Sequence, residues 1–152
     1  RALGNRSIVC DPSYPNMKDI LNSKVKFREW YRPFAPFCKK EEAHHWFDST
    51  NFDNLEFMSF APEVKQEYRD KLPAITHVDG TARLQCVTED SHSIFYNLLT
   101  EFGKISETNV LLNTSFNIRG NPILSTIEDA LHVLDNTELD CVLIEGYLFE
   151  KE

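Results

Sequence analysis

The chain has 152 residues and a mass of 17.7 kDa, and its content of 41% hydrophobic and 12% aromatic residues excludes a disordered or low-complexity chain. The formal net charge of −8 argues against nucleic-acid binding through a broad basic surface, and no apolar run approaches the roughly 20 residues of a membrane span. We therefore expect neither a nucleic-acid partner nor a membrane segment.

Short apolar runs in the first half of the chain are separated by polar and proline-containing stretches. Pro33 and Pro36 restrict the run around them to an edge strand or an extended loop, because proline donates no hydrogen bond to a sheet. In chain order, the predicted elements of this half are a strand at residues 7–10, a helix at 16–24, an edge strand or extended loop at 34–38, a surface loop at 41–56, a strand at 57–60 and a helix at 62–71.

Two helices in the second half are predicted from apolar residues at helical spacing. The first begins at Ser91 or Ser93 and ends at Gly103, and the second follows Thr126, which forms a capping-box pattern with Asp129. Their expected buried faces consist of Ile94, Phe95, Leu98, Leu99 and Phe102 in the first helix, and of Ile127, Ala130, Leu131 and Leu134 in the second. The strands predicted around them are residues 82–87, 110–113, a short extended pair at 123–124, and 141–149.

Strands and helices mix without strict alternation, and no repeat or linker divides the chain. This pattern favours a single domain over residues 1–152 of the α/β (α+β) class, with a mixed twisted β-sheet and helices packed on it. Four scattered cysteines have the spacing of neither a zinc site nor a disulfide framework. We expect them to be reduced, mostly buried thiols of a cytoplasmic protein: Cys10, Cys38, Cys86 and Cys141.

Positive charge is concentrated near the N-terminus, where residues 1–40 contain nine Lys and Arg against three Asp and Glu. Lys26, Arg28 and Arg32 would share one face if their stretch were extended, and arginine can bind a phosphate through two parallel hydrogen bonds. The pattern indicates a local anion site for a small phosphorylated ligand. The alternative is a solvated edge whose cations pair with acidic residues.

A polar segment follows the strand predicted at residues 110–113 and extends to Gly120. Ser115 and Asn117 are expected to point one way while Phe116 packs the other way. Loop N–H groups together with a serine hydroxyl predict a phosphate cradle.

A further polar segment contains His77, Asp79 and Arg83. Arg83 is one of only seven Lys and Arg in residues 41–152, so we expect it to converge with Lys26 and Arg32 on an anionic ligand. The alternative for Arg83 is an ion pair with Asp79. His77 and Asp79 are interpreted as a structural pair at a strand end rather than as a catalytic dyad.

Five blocks of the sequence carry a family resemblance. They are RALGNRSI, KVKFREWYRPFAP, PAITHVDGTARLQ, LLNTSFNIRGNPI and the final strand with its closing Lys151. Together and in this order they resemble the C-terminal, YrdC-like domain of the nodulation-type and tobramycin-type O-carbamoyltransferases. The resemblance covers nearly the whole chain and weakens only across residues 38–65.

The resemblance implies a two-domain enzyme. A larger, N-terminal actin-like domain holds a metal and passes the carbamoyl group to a hydroxyl acceptor, and we expect that domain to be absent from this chain. The YrdC-like domain is implied to convert carbamoyl phosphate and ATP, supplied with Mg²⁺, into carbamoyl-adenylate, phosphate and pyrophosphate. Both are substrates, and no tightly bound cofactor or protein-held metal is expected here.

The resemblance also implies the site residues. They are Lys26, Arg32 and Arg83 as catalytic groups, and Arg1, Arg28, Thr114, Ser115, Asn117 and Arg119 as substrate- and nucleotide-binding groups. We expect these residues to act on the α-phosphate by positioning and electrostatic stabilisation rather than by covalent catalysis.

Two other functions fit the same residues. A threonylcarbamoyl-adenylate synthase would use threonine and bicarbonate, although the VKFREWYRP block fits the O-carbamoyltransferases better. A nucleotide-binding module without catalysis would bind the ligand but release no pyrophosphate. Binding of double-stranded RNA, which occurs among YrdC-like proteins, is disfavoured by the acidic total.

Overall fold

Four short strands form one mixed sheet in the computed structural model, which describes residues 4–50 and 54–151. They are β1 (Ser7–Cys10), β2 (Ala35–Lys39), β3 (Gln85–Val87) and β4 (Leu111–Ser115), in the spatial order β1-β4-β2-β3. The β2–β3 pair is parallel, whereas β4 is antiparallel to both β1 and β2. The predicted α/β domain with a mixed sheet is therefore confirmed, and β1 has the predicted bounds.

Strand β2 lies inside the sheet, so the prediction of an edge strand or extended loop at residues 34–38 is wrong. Pro36 pairs with Leu112 in the ladder to β4, and the ladder to β3 begins only at Phe37. Pro36 therefore leaves no gap in the β3 ladder. A proline at the first residues of a strand is compatible with an interior position when pairing on one side starts after it.

One face of the sheet is divided between packing and polar groups. Phe37 and Leu111 lie under the helix α3 (Ser93–Ile105), with the Phe37 and Phe95 rings stacked at 4.8 Å between centroids. The same face also carries Gln85, opposite Phe37 on β3, and Asn113, two residues beyond Leu111 on β4, because residues opposite each other or two apart share a face. The opposite face packs into the main hydrophobic core.

The described residues between positions 41 and 56 contribute to that core, so the surface loop predicted there is wrong. A 3₁₀ turn (Lys40–Glu42) leads into the short helix α2 (Ala43–Trp46). Trp46, Phe47 and Leu55 are buried, and the Trp46 indole Nε1 donates to Asn109 Oδ1 at 2.8 Å. Aromatic residues on irregular backbone reach the core without any helical or strand period, and the sequence pattern therefore missed them.

The two elements predicted next in the chain are also wrong. Residues 57–60 form no strand; Phe57 and Phe60 are exposed, and Met58 has a positive φ of 56°. In place of a helix at residues 62–71, only a 3₁₀ turn (Gln66–Tyr68) forms. Backbone bridges of residues 63 and 64 to Thr81 and Phe47 hold this stretch extended before the turn.

The predicted helix at residues 16–24 forms as α1 (Met17–Ile20), continued by a π-helical turn (Leu21–Val25). Helix α3 passes through Gly103 to Ile105, so Gly103 is not its stop. A Cβ at Gly103 would lie 3.0 Å from the Asn109 Cβ, which shows that this glycine permits a close approach. On α3, Phe95 and Leu99 are buried as predicted.

Other members of the two predicted helical faces are less buried than expected. Ile94, Leu98 and Ile127 are exposed, whereas Phe102 and Leu131 are half-buried. Helix α4 (Ile127–Asn136) buries Ala130, Val133 and Leu134, and its predicted capping box between Thr126 and Asp129 is confirmed. Residues 123–124 form no strand, and the predicted strand 82–87 is shortened to β3.

Residues 141–149 form a hairpin rather than the single predicted strand. Strands β5 (Cys141–Ile144) and β6 (Tyr147–Glu150) pair antiparallel around Glu145 and Gly146, which have φ of 49° and 88°. Two consecutive positive φ angles are typical of the two-residue turn that connects hairpin strands. Leu143 is exposed on β5, as is the neighbouring apolar surface of β6.

The cysteines are only partly as predicted. Cys38 and Cys86 are buried opposite each other on β2 and β3, whereas Cys10 is half-buried and Cys141 is exposed. In the part of the chain that the structure describes, no helix is long and apolar enough to cross a membrane.

Candidate functional site

Lys26 joins two segments that are far apart in sequence. Its ammonium Nζ donates to the Ser115 carbonyl and to Asn117 Oδ1, both at 2.6 Å, and the Ser115 hydroxyl donates to the same Oδ1 at 2.9 Å. Lys26 is only 4% exposed, because the π-helical turn before it directs the chain inwards at this point. Burial, and then the charge of Arg28, lower the pKa of Lys26 to about 8.

A cavity of about 350 Å³ opens at the polar end of the sheet face. It lies at the small end of the range of ligand sites, and two guanidinium side chains converge on it. The polar residues that line it are Arg28, Glu56, Arg83, Gln85, Asn113, Thr114 and Ser115. The structure therefore brings four of the predicted site residues to one cavity: Arg28, Arg83, Thr114 and Ser115.

Arg28 is held rigidly at the cavity wall. Its Nε donates to Asn22 Oδ1 at 2.7 Å, its Nη2 donates to the Pro33 carbonyl at 3.3 Å, and its guanidinium lies 4.3 Å from the centroid of the Phe34 ring. Burial lowers the pKa of Arg28, and the nearby charges of Arg32 and Arg83 add to this effect, partly opposed by Glu29. Several cations are therefore close enough to repel one another, and a bound anion would relieve this repulsion.

Asn22 is a structural residue of the site that the sequence analysis missed. It is fully buried, and its Nδ2 donates to the Trp30 and Arg32 carbonyls at 3.2 Å each. One amide therefore fixes both Arg28 and the loop after it. No local pattern marks Asn22, because its partners depend on how the loop after it folds back onto the π-helical turn.

Arg83 extends to the cavity from the segment before β3. It is exposed and makes no hydrogen bond or ion pair to any described residue. The alternative of an ion pair with Asp79 is not formed, since the Asp79 carboxylate accepts from the backbone N–H and the hydroxyl of Thr81, at 3.0 and 2.8 Å. The Arg83 guanidinium is thus available to a ligand.

Arg32 and Arg119 lie outside the cavity lining. The Arg32 Nε is 2.8 Å from Glu29 Oε2, and the Arg119 Nη2 is 3.7 Å from Glu29 Oε1. Lys26, Arg28 and Arg32 do not share a face, because the backbone turns at Phe27, where φ is 50°. Hydrogen bonds and the neighbouring cations outweigh burial and lower the pKa of Glu29, so Glu29 is an ionised partner of both arginines.

His77 and Asp79 are bridged by a third residue. The His77 Nδ1 lies 3.1 Å from the Thr81 hydroxyl, which itself donates to Asp79. Burial lowers the pKa of His77, and hydrogen bonds from Thr81 lower that of Asp79. This geometry agrees with a structural role. Arg1 lies outside the described residues, and residues 4–50 and 54–151 contain no group of three His, Cys, Asp or Glu that could hold a metal ion.

Comparison with known proteins identifies one family. A family model described as carbamoyltransferase C-terminus matches residues 1–151. Nodulation protein NolNO of Sinorhizobium fredii is 41% identical over 152 residues, covering 99% of this chain and 22% of that protein. Nodulation protein NolO of Bradyrhizobium diazoefficiens is 41% identical over 152 residues, with coverages of 99% and 28%.

Nodulation protein U of Rhizobium tropici is 40% identical over 152 residues, with coverages of 100% and 25%. The chain therefore spans about a quarter of the length of the curated relatives it matches.

Proposed function

The chain belongs to the carbamoyltransferase C-terminus family, and on that basis we propose that it forms carbamoyl-adenylate from carbamoyl phosphate and ATP, for transfer to a hydroxyl group. The observation that carries this proposal is the convergence of Arg28, Arg83 and Ser115 on one cavity, with the buried ammonium of Lys26 bonded to the Ser115 carbonyl. Such a set of cationic and polar donors suits a ligand with several phosphate oxygens.

The proposed reaction consumes one water molecule. Hydrolysis of carbamoyl phosphate releases phosphate and leaves a carbamate. A carbamate oxygen then forms a bond to the α-phosphorus of ATP, while the bond from that phosphorus to the oxygen bridging the α- and β-phosphates breaks and pyrophosphate departs. Mg²⁺ enters bound to the ATP phosphates as part of this substrate.

Arg28 and Arg83 are proposed to neutralise phosphate oxygens, which lowers the repulsion between the carbamate and the α-phosphate. Lys26 has three N–H groups, of which two are used by Ser115 and Asn117. Lys26 lies behind the cavity lining, beside Ser115, and we propose that its third N–H binds a ligand oxygen there. The same two bonds position the β4 end, so Lys26 would bind the ligand and also orient the polar segment that holds it.

Unlike Arg83, Arg32 and Arg119 are already paired with an acidic residue, Glu29. Because Glu29 pairs with both, either arginine would have to exchange this partner for a phosphate before it could bind the ligand. Their predicted ligand contacts, and that of Arg1, stay predictions. We infer that Glu29 holds the two arginines near the site until an anion competes for them.

Transfer of the carbamoyl group to the hydroxyl acceptor is proposed to need a further domain of the same polypeptide. The support is that relatives of this chain are about four times its length, together with the resemblance to two-domain O-carbamoyltransferases. On this proposal the present chain supplies the activated intermediate, and the other domain selects the acceptor.

The test is release of pyrophosphate from ATP–Mg²⁺ in the presence of carbamoyl phosphate. We expect Lys26→Met to abolish it while Lys39→Met, which replaces another buried lysine outside the cavity, leaves it near the wild-type rate. Replacing carbamoyl phosphate by threonine and bicarbonate should give no pyrophosphate. Activity with threonine and bicarbonate, or ATP binding without any pyrophosphate, would overturn the proposal.

A further inference from the structure

Two carboxamide side chains line the inner part of the cavity, and the predicted site includes neither. Gln85 is 7% exposed and Asn113 is 8% exposed, and the Asn113 Nδ2 donates to Gln85 Oε1 at 2.7 Å. The two residues lie on β3 and β4, with β2 between them, so this bond crosses over a strand. Ala35 lies opposite Asn113 on β2, and its small side chain leaves room for the crossing amides.

The amide pair is incompletely satisfied. The Asn113 Oδ1 is buried without a hydrogen-bond partner, whereas the Gln85 Nε2 is not fully buried and has no acceptor among the described residues. Buried amide groups in proteins are nearly always paired, because an unpaired one loses its hydration without compensation. Two other buried side-chain atoms, on His77 and Thr108, also lack partners, but neither residue lines this cavity.

The pair offers one acceptor and one donor side by side. As placed, the free acceptor is the Asn113 carbonyl oxygen and the free donor is the Gln85 amino group. Reversing both amides exchanges these roles but still leaves one acceptor and one donor. The complementary ligand edge is therefore one that combines an N–H with a hydrogen-bond acceptor, as a primary amide does.

We propose that Gln85 and Asn113 recognise the carbamoyl amide of carbamoyl phosphate, with its NH₂ group donating to the free amide oxygen and its C=O group accepting from the free amide nitrogen. This inference rests on the proposed function. Arg28 and Arg83 line the same small cavity, so a ligand whose amide and phosphate groups are adjacent can reach both sets of partners. The pair would thereby distinguish a carbamoyl group from an acetyl group of nearly equal size.

The test compares two stable phosphonates in the complete polypeptide by titration calorimetry. Phosphonoacetamide carries the amide NH₂, and 2-oxopropylphosphonate replaces it by a methyl group. We expect the wild type to bind the amide about tenfold more tightly, because the methyl ligand leaves a buried acceptor unpaired. The near-isosteric variant Asn113→Leu, which removes the free acceptor, should reduce this ratio towards one. Gln85→Met should instead weaken both ligands, because each carries a C=O group that accepts from the free amide nitrogen.

The outcomes separate this inference from the proposed function. If neither phosphonate binds the wild type, both the proposed function and the amide inference are wrong. If both bind equally, or if the ratio persists in folded Asn113→Leu, only the amide inference is wrong. An adenine edge also combines a donor and an acceptor. Suppose that the variants change the ratio of the affinities for ATP and ITP but not the ratio of the affinities for the two phosphonates. In that case the amide pair binds adenine, and the inference is overturned.

Discussion

At the scale of single residues, the three cations of the site differ in their hydrogen-bond partners. Lys26 is bound to oxygens of the β4 end, Arg28 is fixed by Asn22, and Arg83 has no described partner. A cation with satisfied bonds contributes orientation, whereas a free cation contributes new bonds to a ligand. Lys26 and Arg83 therefore give different predictions.

Lys26 should make ligand affinity and stability respond to pH in opposite directions. With a pKa of about 8 in the folded chain, its ammonium is lost as the pH rises through that value, so affinity for ATP–Mg²⁺ should fall. Between about 8 and the ordinary value of 10.5, the unfolded chain binds the proton and the folded chain does not, so the free energy of unfolding should rise with pH. Calorimetric titration and urea unfolding over this interval measure both.

The Lys26→Met variant is the reference for these two trends. It should weaken binding at every pH and remove the lysine contribution to both slopes, since no titrating group is left at this position. An affinity that stays constant in the wild type up to about pH 9 would show that the charge of Lys26 does not contact the ligand.

Arg83→Ala should weaken binding of carbamoyl phosphate by about ten- to a hundred-fold, because a charged hydrogen bond contributes about 1.5–3 kcal/mol. Arg83→Lys should restore little, since the two-pronged guanidinium contact is lost. The melting temperature should not change, because the exposed Arg83 side chain has no described partner. Pyrophosphate release and thermal melting are measured together.

Lys71→Ala is the matched control for Arg83, because it removes an exposed cation that pairs with Glu107 far from the cavity lining. It should leave the rate unchanged. If Arg83→Ala also leaves the rate unchanged, Arg83 is outside the site. If it lowers only the melting temperature, its role is structural.

At the scale of secondary-structure elements, the sheet divides one face between stability and chemistry. Helix α3 covers the apolar end around Phe37 and Leu111, and the polar end stays open as the cavity. The short strands keep these two regions within a few residues of each other. Stable packing of α3 therefore supports the geometry of the amide pair and of Ser115 without touching the ligand.

The N-terminal cap of helix α4 contributes to the free energy of unfolding, and this contribution can be measured directly. Thr126→Ala removes the hydroxyl that accepts from the Asp129 N–H, and we expect a loss of about 1 kcal/mol and a fall of about 2–4 °C in melting temperature. Ser125→Ala, one residue earlier, removes a hydroxyl without a described hydrogen bond and should have almost no effect. Equal melting temperatures for the two variants would contradict the capping assignment.

At the scale of the whole molecule, a net charge of −8 coexists with a cavity lined by two arginines and one glutamate. The acidic remainder repels polyanions in general, while the fixed guanidinium groups attract a small anion that fits between them. We expect affinity for ATP–Mg²⁺ to fall as salt is added, because mobile ions screen these contacts. Calorimetry in rising concentrations of sodium chloride tests this, and an affinity that does not depend on salt would contradict it.

Carbamoyl transfer should require more of the polypeptide than this chain. Incubated alone with carbamoyl phosphate, ATP–Mg²⁺ and a hydroxylated acceptor, the 152-residue chain is expected to yield no carbamoylated product. Mass spectrometry of the acceptor measures the outcome, with a relative of full length as the positive control. A carbamoylated acceptor formed by this chain alone would contradict the two-domain proposal.

Features of the chain that depend on neighbouring residues are predictable from the sequence. The strand at residues 7–10, the capping box of α4 and the polar segments around Lys26, Arg83 and Ser115 all follow from short-range patterns. Charge counting also located a cationic region within an acidic chain. These features are local because backbone propensity and capping act over three or four residues.

The hydrogen-bond and packing partners of these residues depend on how distant parts of the chain come together. Pairing on both sides placed β2 inside the sheet despite Pro36, and two positive φ angles at Glu145 and Gly146 divided one apolar run into a hairpin. Likewise, Asn22 and the pair of Gln85 and Asn113 acquire their roles from residues between 6 and 28 positions away. Burial and hydrogen-bond satisfaction depend on such distant contacts, which a local pattern does not contain.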